Sequence, residues 1–263
     1  MLKINREYSQ TGSPGGINTD EISQDWYLII YDLENGSHTE RKINNFYINV
    51  FWNQKCITSA TPEYISIISE FSNNILNINS LHLEKLADSL DIKDAYLEQN
   101  NQNLFMIEGF YDYSVISYNL DTRLINNQYN LDGYFGNLAQ SLIDDSDHFI
   151  LWNHSQICIV DRTSQTSKSF DKIAKQIIIY DKNKAAILNP DSIIEFYNFN
   201  SDSLYFEKSI TLQRSNISNF SISKDVDILI YQSNPHDSNG MTILLDIINN
   251  KEKVLFVNEH YEK

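Results

Sequence analysis

One arrangement of residues recurs along the chain and limits what it can become. An apolar, β-branched and aromatic run ends in an acid or amide, a polar turn follows, and a second extended run closes the unit. The clearest copy is Trp26 to Ile43. There Tyr27-Leu28-Ile29-Ile30-Tyr31 has strand composition, and Asn35-Gly36 is the dipeptide that most readily takes the positive φ values of a tight hairpin turn. Further copies begin at Tyr64, Tyr113, Gln156, Ile193 and Thr242. The closing polar residues fall at 32, 70, 119, 161, 198 and 246, so successive gaps are 38, 49, 42, 37 and 48 residues. Hairpin units repeating every ~43 residues are the pattern of β-propeller blades. The expected fold is all-β: one domain over residues 1–263, a six-bladed β-propeller of four-stranded antiparallel blades.

Within that ruler each unit from residue 46 supplies four strands, ordered from the axis outward. The second unit reads Phe46 to Trp52, Lys55 to Ala60, Tyr64 to Ser69 and Ile75 to Ser80. The later units follow the same order, with short polar links such as Asp181 to Lys184 between first and second strands. Two stretches stand outside the period. Residues 9–25, with Gly12, Pro14, Gly15 and Gly16, read as a long loop. Residues 82–91 carry Leu83, Leu86, Ala87 and Leu90 at the spacing of one helical face, which predicts a short helical insertion. One four-stranded sheet cannot bury both its apolar faces alone, so the units should pack into a ring, with Glu252 to Tyr261 pairing beside the first unit to close it.

Charge narrows the range of partners. Lys and Arg number 20 against 35 Asp and Glu, a formal −15, and such a field repels phosphate. Nucleic acid and anionic membranes are disfavoured, and a basic protein is the expected partner. Cys56 and Cys158 are too few and too far apart for a disulfide framework. No stretch has the length of a transmembrane span, and residues 1–25 lack the pattern of a signal peptide, so a cytoplasmic location is expected.

The sixth unit, Ile217-Ser-Asn-Phe-Ser-Ile-Ser-Lys-Asp-Val-Asp-Ile-Leu-Ile-Tyr-Gln continuing to Thr242-Ile-Leu-Leu-Asp-Ile, resembles a WD40-type blade. In that family the third strand ends in Trp-Asp; the corresponding pairs here are Tyr31-Asp32, Tyr118-Asn119, Val160-Asp161, Tyr197-Asn198 and Leu245-Asp246. No pair is Trp-Asp and the family's Gly-His dipeptide is missing, so the resemblance is to a divergent WD40-like propeller. It implies a non-catalytic scaffold that grips other proteins by one face of the disc.

Strand order puts the links between second and third strands on one rim with the links between blades. The candidate partner-binding residues on that rim are Pro62, Phe110, Tyr111, Asp112, His154, Asp191, His236 and Asp237. Asp144, Asp145 and Asp147 could converge on a cation, but they lack the glycine and the later glutamate of the fixed-spacing calcium loop, and a solvated acidic turn is expected instead. The six histidines show no metal-ligand spacing, and no metal or other cofactor is expected. The Gly-x-Ser-x-Gly, phosphate-loop and Cys-x-x-Cys motifs are absent, so the expected function is non-catalytic. The concrete version is an inhibitor or immunity-type protein that neutralises a basic toxin or nuclease. The alternative is a glycan- or small-ligand-binding propeller, possibly hydrolytic, that uses the axial mouth.

Overall fold

The computed structural model describes residues 2–13, 16–31, 37–43, 57–60, 63–69, 72–86, 92–98, 100, 102–109, 113–131, 133–143, 146–234 and 240–257. Every regular element among them is a strand. The first unit departs from the blade pattern. β1 (Leu2–Ser13) and β2 (Gly16–Tyr31) form one long antiparallel hairpin, and β3 (His38–Ile43) adds to β2 to make a three-stranded sheet. The long loop expected over residues 9–25 is therefore strand, with Ser13 paired to Gly16 across the turn and a bulge at Glu7/Tyr8. Its glycines mark a hairpin tip, where a backbone without Cβ turns most easily. Among the described residues no fourth strand joins this sheet, and Lys251–Val257 pairs in the sixth unit instead.

Among the described residues five blades follow, one fewer than expected, since the first unit is a sheet of another build; four have four strands and one gains a short fifth. Keeping the unit numbers, the second blade is β4 (Ile57–Ala60), β5 (Tyr64–Ser69), β6 (Ser72–Asn77) and β7 (Leu83–Lys85). The third is β8 (Ile92–Leu97), β9 (Asn103–Glu108), β10 (Ser114–Asn119) and β11 (Leu124–Asn130). The fourth holds β12 (Asn137–Leu138), β14 (His148–Trp152), β15 (Ile157–Asp161) and β16 (Ser167–Phe170), while β13 (Gln140–Ser141) leaves it for the next sheet. The fifth is β17 (Gln176–Asp181), β18 (Lys184–Leu188), β19 (Ile193–Asn200) and β20 (Ser203–Thr211). The sixth is β21 (Ile217–Ile222), β22 (Ile228–Ser233), β23 (Met241–Asp246) and β24 (Lys251–Val257).

Two expectations change in the second blade. Among the described residues Tyr64–Ser69 is the second strand and not the third, and the helical insertion is not formed at Leu83–Lys85, which pairs with β6 as the outer strand. Phe46 to Trp52 lie outside the described residues. At the other end Lys251–Val257 is the outer strand of the sixth blade, so the closure expected from Glu252 to Tyr261 is not made by that stretch.

Side chains alternate across each pleated strand, and in the middle strands of the blades both faces are buried. In β9, Phe105 and Ile107 enter the apolar cluster shared with the fourth blade, while Leu104 and Met106 enter the one shared with the second. In β17, Ile177 and Ile179 face the fourth blade and Ile178 and Tyr180 the sixth. Four such clusters knit the five blades. The continuous apolar runs of β14 and β15 follow from this two-sided burial, which a one-faced sheet would not require.

Near the axis, polar groups stitch neighbouring blades together. Asp94 on β8 accepts the Leu138 N–H through Oδ2 at 2.7 Å. Gln140–Ser141 runs parallel to Ile178–Ile179, so one short segment ties the fourth blade to the fifth. Gln176 on β17 donates through Nε2 to the Phe220 carbonyl at 3.0 Å and accepts the Phe220 N–H at 2.7 Å, as a backbone unit would. Both side-chain latches span 44 residues, one repeat.

Candidate functional site

The antiparallel order gives the disc two rims. Links between first and second strands and between third and fourth strands share one, here the turn rim. Links between second and third strands and between blades share the other, the loop rim.

The turn rim is built from one repeated device. Asn77, Asn119, Asp161 and Asp246 end third strands, and each side-chain Oδ1 accepts backbone N–H groups two or three residues on, from Asn79 and Ser80, Asp121 and Thr122, Thr163 and Ser164, and Asn249. The next residue, Leu81, Arg123, Gln165 or Asn250, then takes a left-handed φ of 56°, 61°, 58° or 51°. Such side chains mimic a backbone turn and let a chain with few glycines reverse direction. Asn119, Asp161 and Asp246 are the residues that align with the WD40 aspartate. In the second blade the role falls to Asn77, while in the fifth the strand runs two residues past Asn198 to Asn200, whose Oδ1 accepts the Asp202 N–H.

Charge collects on this rim. Glu63, Asp121, Asp181, Asp202, Asp225 and Asp227 are exposed there, and Asp147 and Asp246 are half-buried. Several of its cations are already engaged. Arg123 pairs with Glu84, Lys182 Nζ lies 3.0 Å from Asp147, and Arg162 is drawn inward. The Arg162 guanidinium lies 4.8 Å from the Phe105 ring and 5.2 Å from that of Phe149, donates to the Ser146 carbonyl at 2.6 Å, and stands 3.6 Å from the buried Glu98 carboxylate. Glu98 Oε2 takes a hydrogen bond from Asn103, while Oε1 has no hydrogen bond and only this cation to offset its burial. Between the fourth and fifth blades, Ser201 donates to Asp161 Oδ2 at 2.8 Å, and His148 Nε2 stands 3.2 Å from the same hydroxyl. The Ser164 N–H, the Ser201 hydroxyl and the Thr163 N–H hold the Asp161 carboxyl down at about 2. Serine donates to aspartate and not to histidine, so this trio is a clasp between blades and no nucleophile is activated.

On the loop rim, His154 lies exposed in the turn after β14, and Asp191 lies exposed in the turn after β18. The side chains of Asn153 and Asn189 shape those turns by accepting the N–H groups of Ser155 and Gln156 and of Asp191 and Ile193. His154 and Asp191 thus share a rim but stand on different blades. Phe110, Tyr111, Asp112, His236 and Asp237 lie outside the described residues. So does Pro62. Asp144 and Asp145 are likewise outside, and Asp147 is held by Lys182. Among the described residues no group of three His, Cys, Asp or Glu could hold a metal ion, and no helix is long and apolar enough to cross a membrane.

The sequence reading passed over Tyr134, which is 54% exposed on the link between the third and fourth blades. The available signal was Gly133-Tyr134-Phe135-Gly136, two of only eight glycines bracketing an aromatic pair.

No protein-family model matches the chain, and no curated protein is similar to it in sequence. Solved structures share the fold. Hydrazine synthase of Kuenenia stuttgartiensis aligns at 9% identity over 81% of this chain and 68% of its own, with a TM-score of 0.53. A functionally unknown protein from Desulfotomaculum acetoxidans aligns at 9% identity over 88% and 74%, with a TM-score of 0.55. The β-propeller domain of Cps50 (Swd1) from Myceliophteria thermophila aligns at 8% identity over 76% and 68%, also at 0.55. Such low identities speak for architecture alone, and they agree with the divergent WD40-like propeller expected from the sequence.

Proposed function

We propose that this propeller works by binding a basic protein and carries no catalytic chemistry of its own, an inhibitor or immunity-type protein that neutralises a cationic toxin or nuclease being the concrete form. The observation that carries this reading is the placement of charge. A chain of formal charge −15 turns exposed Asp121, Asp181, Asp202, Asp225 and Asp227 outward on one rim, while Arg123, Arg162 and Lys182 are engaged by Glu84, Glu98 and Asp147. A face on which acids outnumber cations steers an oppositely charged partner and repels phosphate. The turns that present it are fixed by their own side-chain hydrogen bonds, so little order is lost when a partner arrives.

The test measures association with a basic probe protein, cytochrome c, over a range of salt. The rate should fall by about tenfold or more between 20 and 500 mM NaCl. Asp225→Asn with Asp227→Asn should slow it at low salt and leave the high-salt rate unchanged. A salt-independent rate would reject the reading.

A further inference from the structure

Four of the five outer blade strands carry charge. β7 has Glu84 and Lys85, β16 has Lys168, β20 has Glu207 and Lys208, and β24 has Lys251, Glu252 and Lys253. β11, Leu-Ile-Asn-Asn-Gln-Tyr-Asn, has none, and neither has β10 beside it. Charge on an edge strand is a common device that stops two sheets from joining through their unpaired N–H and C=O groups. Among the described blades the third alone lacks it.

This edge is also open and firmly held. β11 ends its sheet and pairs with β10 only, among the described residues. Residues 124–128 are exposed on both faces, Leu124 by 64% and Ile125 by 49%. Tyr129 is buried between the third and fourth blades, its ring edge-on to that of Phe149 with centroids 5.1 Å apart, and Gln128 Nε2 donates to Ser114 Oγ at 3.2 Å. A bulge leaves Asn126 unpaired, so the edge runs in two pieces, 124–125 and 127–130. β20 and β24 pair through a bulge too, so the missing charge is what sets β11 apart.

Charge also selects what covers the edge. A molecule of formal charge −15 repels its own copies, so two can approach most closely where the surface is neutral. The nearest charges in sequence are Arg123, already paired with Glu84, and Asp132, beyond the end of the strand. A basic partner gains nothing here that the acidic rim does not offer better. The side chains fit the same occupant. Among the described residues no hydrogen bond engages the amides of Asn126 and Asn127, and an amide both donates and accepts, so it complements itself. Asn and Gln side chains on identical paired strands form ladders of this kind.

We infer that β11 is a self-association edge, which pairs antiparallel with β11 of a second copy about a two-fold axis. Each copy offers the edge once, so assembly stops at the dimer. One strand pair buries less than the ~1,200 Å² of a stable interface, so the dimer forms only at high concentration.

Sedimentation velocity over about 10–500 µM protein, in low and high NaCl, tests this. The dimer fraction should rise with concentration, and its association constant should rise by about threefold or more with salt, because screening relieves the repulsion between copies. Association with cytochrome c responds to salt in the opposite sense, so the two surfaces can fail independently. Ile125→Lys with Asn127→Lys should weaken the dimer by about tenfold or more and leave the unfolding midpoint nearly unchanged. Both lysines lower the net negative charge, so general repulsion does not explain that loss. Asp225→Asn with Asp227→Asn removes as much negative charge from the acidic rim and should leave the dimer intact. In the dimer the amides of residues 124–130 should gain protection from hydrogen exchange. A monomer under all conditions, assemblies larger than a dimer, no added protection at these amides, or a dimer that survives the two lysines would each overturn the proposal.

Discussion

Asp161 does two jobs with one carboxylate. Oδ1 closes its own turn by accepting from Thr163 and Ser164, and Oδ2 accepts from Ser201 of the next blade. Asn77 and Asn119 do the first job with a neutral amide, so only the second needs the charge. A carboxyl held at about 2 in the fold, below its unfolded value of about 4, contributes stability above pH 4 and loses it as pH falls toward 2. Asp161→Asn should therefore cost about 1 kcal/mol at pH 7, a figure kept low because the side chain is partly solvated. The gap between wild type and variant should narrow as pH falls from 4 toward 2. Urea unfolding at pH 7, 4 and 2 measures it, and a gap that persists at pH 2 would separate the stability of this turn from its charge.

Among elements, the inner strands show why the blades hold their register. Gln176 pairs with both backbone groups of Phe220, which an amide can do and a carboxylate cannot. Gln176→Glu leaves the Phe220 carbonyl without its donor and faces it with an acceptor, so it should cost about 1–3 kcal/mol by urea unfolding, more than Gln176→Ala. Equal costs for the two variants would mean that packing, and not the amide pair, is what Gln176 supplies. The third to sixth units were legible in the sequence because their apolar runs are bounded by short polar links that fall in register. The second was misread because β6, Ser72–Asn77, opens on Ser-Asn-Asn, which has the composition of a loop, and so its neighbour Tyr64–Ser69 was taken for the third strand. The first was misread because its glycines, which mark a hairpin tip, also look like a mobile segment. The rim was legible only in part. Strand order placed His154 and Asp191 on one side, but the gathering of acids on the other depends on which side every turn lies, and that follows only once each strand is counted correctly.

For the whole molecule, the same charges act in two opposite senses. A net −15 on one disc, with Asp121, Asp181, Asp202, Asp225 and Asp227 exposed on one rim, repels itself in the folded state more than in the expanded chain. Salt screens that repulsion over a length that falls from about 30 Å at 0.01 M to about 8 Å at 0.15 M. The unfolding temperature should rise by about 2–4 °C across that range, the shift that a gain of ~1 kcal/mol produces in a domain of this size, and level off above it. Over the same interval association with a basic protein should slow. Stability and association then respond to salt with opposite signs, a pairing that a general salting-out effect does not produce, because excluded solutes strengthen folding and apolar association together. Melting temperatures and association rates measured in the same NaCl series check this, and a flat melting temperature from 10 to 150 mM would show that the acidic rim is spaced widely enough to carry its charge without strain.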